Sequence, residues 1–126
     1  MPKMIQRIIR KFQRPRKEAK RLVVSEDGLA LLDGEREVYR FKWAEVSKIE
    51  TYKRDLGTVD MICLDFTLSA QHIVYMANDE MAGFDELTKH LTCDFPTVPV
   101  DWWSDVAFPA FATNHRILFE RFYPDV

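Results

Sequence analysis

From residue 22 to residue 78 short apolar runs and one clearly alternating stretch are separated by turn residues, the pattern of short strands. After residue 80 the spacing widens to three and four, which is that of a helix face. "RLVVSEDGLALLDG" holds two short apolar runs around Asp27-Gly28, a hairpin dipeptide because glycine tolerates positive φ in a tight turn. "DGERE" supplies the next turn, and "VYRFKW" then alternates, with Val38, Arg40 and Lys42 on one face and Tyr39, Phe41 and Trp43 on the other. The aromatic face is predicted to be buried. "VSKIETY" continues as a strand, "KRDLGTVD" turns at Leu56-Gly57, and "MICLDFTLS" and "HIVYMA" pair around Ala70-Gln71. Six strands in antiparallel succession are predicted.

Asn78-Asp79 then offers a helix N-cap, and Met81, Phe84, Leu87 and Leu91 form one stripe of an amphipathic helix ending near Thr92. "DFPTVPVD" reads as an extended connector. The remainder carries Trp102, Trp103, Phe108, Phe111, Phe119, Phe122 and Tyr123, too much aromatic area to leave in water, so it packs on the body or on a partner. A short helix is predicted near 101–106, and a second element over 110–122, helix or strand. At the other end, Met4, Ile5, Ile8, Ile9 and Phe12 fall on one helical sector, with Gln6, Arg7, Arg10, Lys11 and Arg14 on the rest. Pro15 ends that helix near Gln13, and a basic link leads to the body. The expected organisation is a basic amphipathic helix and linker (1–21), a β-barrel with a capping helix (22–92) and an aromatic extension packed on the body (93–126).

Composition fits this outline. With 126 residues, 47% hydrophobic, the chain can bury one core. No run of about 18 apolar residues occurs, and the first residues lack the apolar stretch of a secretory signal, so a cytoplasmic location is expected. Cys63 and Cys93 stand alone, which supports neither a disulfide framework nor a zinc site. Charge changes the picture more. Residues 1–21 hold nine Lys/Arg and one Glu (+8), residues 22–126 nine Lys/Arg and 19 Asp/Glu (−10), and the net charge of −2 conceals the division.

In "VYRFKWAEVSKIETYKRD" the spacing of Phe41, Trp43, Val46 and Ile49 resembles that of bacterial pleckstrin-homology-like (PH-like) domains, where a strand ending in Trp precedes a short kink and a strand with two inward aliphatic positions. The succession of strands closed by a helix over residues 22–92 resembles the same family. The resemblance implies an α+β fold of two near-orthogonal antiparallel sheets, with six or seven strands, closed by a helix, and a role in binding instead of catalysis. The first hairpin turn here is "SEDG", whose Glu26 and Asp27 would repel a phosphate, so recognition of lipid headgroups by the barrel is not implied. Residues 80–92 lack the buried Trp usual in the capping helix of eukaryotic relatives, and Phe84 takes its place.

Candidate chemistry is sparse. Asp55 and Asp60, with Lys53 and Arg54, flank a turn and have the composition of paired carboxylates with anion clamps. The preferred reading is a polar hairpin tip with an ion pair such as Arg54 with Asp60, because no histidine lies within ten residues of either aspartate. His72, His90 and His115 are dispersed, and His90 with Cys93 gives the one nucleophile-and-base spacing, with no evident oxyanion hole. No metal or cofactor is expected. Trp102, Trp103, Phe108 and Phe111 form either a second small core or a protein-binding face rimmed by Asn114, His115 and Arg116. The sharpest signal is the N-terminal helix. Lys3, Arg7, Arg10, Lys11 and Arg14 around Ile5, Ile8 and Phe12 suit either an anionic membrane surface or the acidic body of this or a second copy. Nucleic acid is disfavoured by the single aromatic Phe12 and the −10 body.

These readings converge on a non-catalytic module of the bacterial cytoplasm that recognises a protein partner and touches the inner membrane face through its basic helix. An acidic immunity-type inhibitor of a basic toxin or nuclease, by charge and size, and a small thiol-dependent enzyme are the alternatives.

Overall fold

A computed structural model of the chain describes residues 20–55, 60–69, 72–107 and 113–121. The predicted N-terminal helix and the tip of the hairpin at Leu56-Gly57 lie outside the described residues, as do Phe108 and Phe111. The fold is α+β. Strands β1 (Lys20–Val24), β2 (Gly28–Asp33) and β3 (Arg36–Lys42) form a three-stranded antiparallel sheet in that order. A 3-10 turn (Trp43–Glu45) carries the chain into a second antiparallel sheet built from β4 (Val46–Asp55), β5 (Asp60–Leu68), β6 (Ile73–Asn78) and β7 (Arg116–Glu120), ordered β6-β5-β4-β7. Helices α1 (Phe84–Asp94) and α2 (Trp102–Ala107) lie between β6 and β7 in the chain.

The alternation in β3 decides how the sheets face. Tyr39, Phe41 and Trp43 are buried while Val38, Arg40 and Lys42 are exposed. A bulge between Leu31 and Leu32, where the register steps from Tyr39 to Glu37, leaves Val38 extra and keeps the aromatic set inward. Phe41 meets Phe66 of the second sheet at 5.4 Å between ring centroids, and one buried cluster runs from Leu22, Leu29 and Leu31 through Ile49, Leu64 and Phe66 to Phe84, Leu87 and Leu91. Trp102, Val106 and Leu118 belong to the same cluster, so the C-terminal part shares the body's core. At one margin the sheets meet through side chains: Tyr39 stacks on Tyr75 at 4.6 Å and its hydroxyl donates to Met76 O at 3.0 Å.

Local chemistry departs from the sequence reading at three places. Gly28 does not adopt the positive φ expected of it. It is needed because a Cβ there would sit 2.0 Å from Phe41 O on the neighbouring strand. The positive φ belongs instead to Gly34 (64°) in the next turn and to Gly83 (89°). The capping helix does not start at Asn78-Asp79: Asn78 ends β6 and accepts from Glu80 N at 2.9 Å. Ala82 first forms a bridge beside Arg21, bonded to Leu22 N and Lys20 O, so the helix begins only after Gly83. The element predicted over 110–122 is represented among the described residues by strand β7, which pairs with β4.

The third departure is the ion pair beside the hairpin turn. Inward positions of β4 run Ile49, Thr51, Lys53, so Lys53 enters the interior with its side chain 1% exposed. Its ammonium lies 3.3 Å from Asp60 Oδ2 and donates to Ala107 O, at the C-terminal end of α2, at 2.7 Å. A cation there meets both a carboxylate and the negative end of the helix. Lys53, and not Arg54, is the partner of Asp60. Asn114 Nδ2 donates to Val106 O at 3.1 Å, so two side chains satisfy the final carbonyls of α2.

Two stability changes follow. Lys53→Met leaves Asp60 half-buried without this cation and Ala107 O without its donor, and is expected to cost about 3 kcal/mol in urea unfolding. A loss below about 0.5 kcal/mol would show the pair to be dispensable. Gly28→Ala, which forces β2 away from Phe41 O, is expected to lower stability by roughly 2 kcal/mol or more, although alanine is otherwise the smallest possible change.

Candidate functional site

Trp43 stands where the chain leaves the first sheet for the second. Its backbone N–H donates to Asp27 O at 2.9 Å and its indole Nε1 to Ser25 O at 2.9 Å, which fastens the β1-β2 turn against the 3-10 turn. In α1, Phe84, Leu87 and Leu91 face the core, and His90, beside them on the helix, lies flat on the indole at 4.6 Å with 21° between planes. Asp94, one helical turn on, holds His90 Nδ1 at 2.8 Å. Phe95 ends the helix edge-on to Trp43 at 5.7 Å and to Phe119 of β7 at 4.9 Å. Arg121 follows β7. Its guanidinium lies 5.1 Å from the Phe119 ring and donates to Ala44 O at 3.1 Å, while its backbone N–H bonds Ser47 O.

Together these elements shape an open cleft of about 410 Å³ lined by Glu26, Trp43, Ala44, His90, Asp94, Phe95 and Arg121. Its floor is aromatic and its rim charged, with Glu26 and Asp94 opposing Arg121. Glu26 has no hydrogen bond or ion pair among the described residues, whereas Asp94 and Arg121 are already engaged with the fold. Such a surface can hold a polar or charged group against an aromatic wall. Among the described residues that line it there is no nucleophile. Cys93 is exposed on α1, and among the described residues His90 is bonded to Asp94, not to Cys93.

A second polar group lies on the face of the four-stranded sheet away from the core. Glu50 and Asp65 sit directly opposite each other on β4 and β5. Tyr52 donates its hydroxyl to Asp65 Oδ1 at 3.2 Å, His115 Nε2 lies 2.7 Å from Glu50 Oε2, and Lys48 approaches the same carboxylate at 3.6 Å. Burial, with Asp65 alongside, pushes the Tyr52 phenol up to about 12. Asp65 is raised, first by burial and further by Glu50, against the pull of the Tyr52 hydrogen bond and His115. Cys63, fully buried beside Tyr52, is raised to about 11, chiefly by burial, and so is poorly suited to act as a thiolate.

The predicted aromatic pair divides. Trp102 is 2% exposed and packs into the body, whereas Trp103 on the next position is 37% exposed. Asn114 and His115 turn toward α2 and Glu50, and Arg116 bonds His115 O. Phe108, Phe111 and the basic residues from Lys3 to Arg14 lie outside the described residues. The joint contribution of Glu26, Trp43, His90 and Arg121 has no sequence signature, because the four are brought together from a turn, a sheet crossing, a helix and a strand end. Comparison with family models, with curated proteins and with solved structures finds no match to this chain.

Asp65 binds its proton more readily folded than unfolded, so its ionisation costs stability as pH rises through the aspartate range, and above the folded-state value that cost is fully present. Asp65→Asn keeps an acceptor for Tyr52 and removes the cost. Melting curves from acid to neutral pH should show the variant gaining on the wild type as pH rises, with no advantage in acid. A variant less stable at neutral pH would mean that the carboxylate charge itself supports the fold.

Proposed function

We propose that this chain is a non-catalytic binding module that recognises a protein partner, and that its body is PH-like. The supporting observation is how the titratable side chains are employed. Lys53 holds α2, His90 is clamped between Trp43 and Asp94, and Cys63 is sealed in the sheet, while the cleft keeps a bare carboxylate, Glu26, over an aromatic floor. Groups committed to fold-holding partners serve recognition better than turnover, which needs acids and bases converging on one reacting atom. Two sheets linked at Trp43 and a helix directly after β6 agree with the PH-like reading, while β7, returning to pair with β4, adds to that order.

The partner expected at the cleft is a protein with a basic contact region, since residues 22–126 carry −10 and the rim offers Glu26 and Asp94. Peripheral attachment to an anionic membrane through residues 1–14 is part of the same proposal and rests on the +8 charge of residues 1–21. No helix among the described residues is long and apolar enough to cross a membrane.

The test compares full-length baits in a salt-titrated pull-down from the native host. Wild type should retain one basic protein at low salt and release it at high salt, and Glu26→Lys should retain roughly tenfold less. Equal retention by the two baits would remove the cleft from the interaction. Sedimentation with anionic but not neutral vesicles checks the membrane component, and equal sedimentation with both would reject it.

A further inference from the structure

The face of the four-stranded sheet turned away from the core is buried at one end. Its positions run from Thr67 and Asp65 to Cys63 and Met61 along β5, and from Val74 to Asn78 along β6. Val74 is 53% exposed, whereas Cys63 and Met61 are 0% and 8% exposed and Asn78 is buried as well. The core cluster takes Ile62 and Leu64 from β5 but neither Met61 nor Cys63, and both helices send their buried residues into that cluster, on the other side of the sheet. Among the described residues, no helix covers the buried end.

The same end is where the chain enters the described fold. Ala82, four positions after Asn78, holds β1 on both sides of Arg21: its carbonyl accepts from Leu22 N at 2.7 Å and its N–H donates to Lys20 O at 3.1 Å. Residues 1–19 therefore join the molecule beside the buried end. We propose that the basic amphipathic helix predicted over residues 1–14 docks across this face of its own chain, with the stripe of Ile5, Ile8, Ile9 and Phe12 on Met61, Cys63 and Met76. Lengths agree. The link of residues 15–19 reaches up to about 17 Å, and a helix of 14 residues is about 21 Å long, enough to cross four strands spaced about 4.8 Å apart. Charge agrees too: Glu50 and Asp65 stand opposite each other on this face, and the +8 of residues 1–21 complements the −10 of the remainder. One apolar stripe serves one surface at a time, so the docked and membrane-attached states exclude each other, and docking itself does not require the membrane reading.

The experiment is nuclear magnetic resonance on the full chain, labelled at isoleucine and methionine methyl groups and at phenylalanine rings. Expected are contacts from Ile5, Ile8 or Ile9 to Met61 and Met76. Methionine methyls that meet only side chains of their own sheet, or that meet Phe108 or Phe111 in place of the isoleucines, overturn the proposal. A chemical readout stands beside it. The Cys93→Ser chain keeps Cys63 as its single thiol, which should react slowly with an uncharged maleimide, and adding Ile8→Asp and Ile9→Asp should speed the reaction roughly tenfold or more. An unchanged rate in the folded variant overturns the docking. Should that variant fail to fold, the methyl contacts of the wild type decide.

Discussion

The position of Trp43 is the constraint on which the rest of the molecule depends. It is the last inward residue of an alternating aromatic strand and the first of the 3-10 turn that passes the chain from one sheet to the other. Burying an indole requires a partner for its N–H. Ser25 O supplies it, and the Trp43 backbone bonds Asp27 O, so the same residue fixes the β1-β2 turn. Its faces and edges are taken by Phe41, Phe66, His90 and Phe95, which come from both sheets and from α1 and its C-terminal end. A single side chain thus sets the relation of the sheets, the seat of the helix and the floor of the cleft.

Lys53 plays the corresponding part at the other end of β4. An inward lysine is costly unless its charge is met, and here the meeting groups come from β5 and from the end of α2. This couples the placement of α2, and through it the burial of Trp102 and Val106, to a residue more than forty positions earlier. Polar residues that would read as chemistry in the sequence are in this way consumed by architecture. The cleft is where that consumption is incomplete: aromatic surface, an exposed carboxylate and an arginine anchored on Phe119 meet there.

The outer face of the second sheet shows a different balance. Glu50 and Asp65 oppose each other across β4 and β5, an arrangement that like charges disfavour, and it is made tolerable by His115, Lys48 and the Tyr52 hydroxyl. β7 brings His115 into that group, so adding the fourth strand also relieves a charge problem on its neighbours. Each of these solutions draws on residues distant in the chain, which is why none could be anticipated from spacing.

An α+β succession of antiparallel strands with a helix after β6 was legible in the sequence because its signals are local: short apolar or alternating runs, a spacing of three and four, and turn residues between them. Even the inward set Tyr39, Phe41 and Trp43 could be named, since alternation alone assigns faces. The start of α1, the reason for Gly28, the partner of Asp60 and the strand identity of Arg116–Glu120 were decided by tertiary structure. In each case a backbone or side chain from another element competes with the local preference: Ala82 is held by β1, Phe41 O crowds Gly28, the interior claims Lys53, and β4 offers β7 a ladder. Local periodicity writes the elements of this protein, and the burial of charge and of hydrogen-bonding groups, which depends on what lies opposite, determines how they meet.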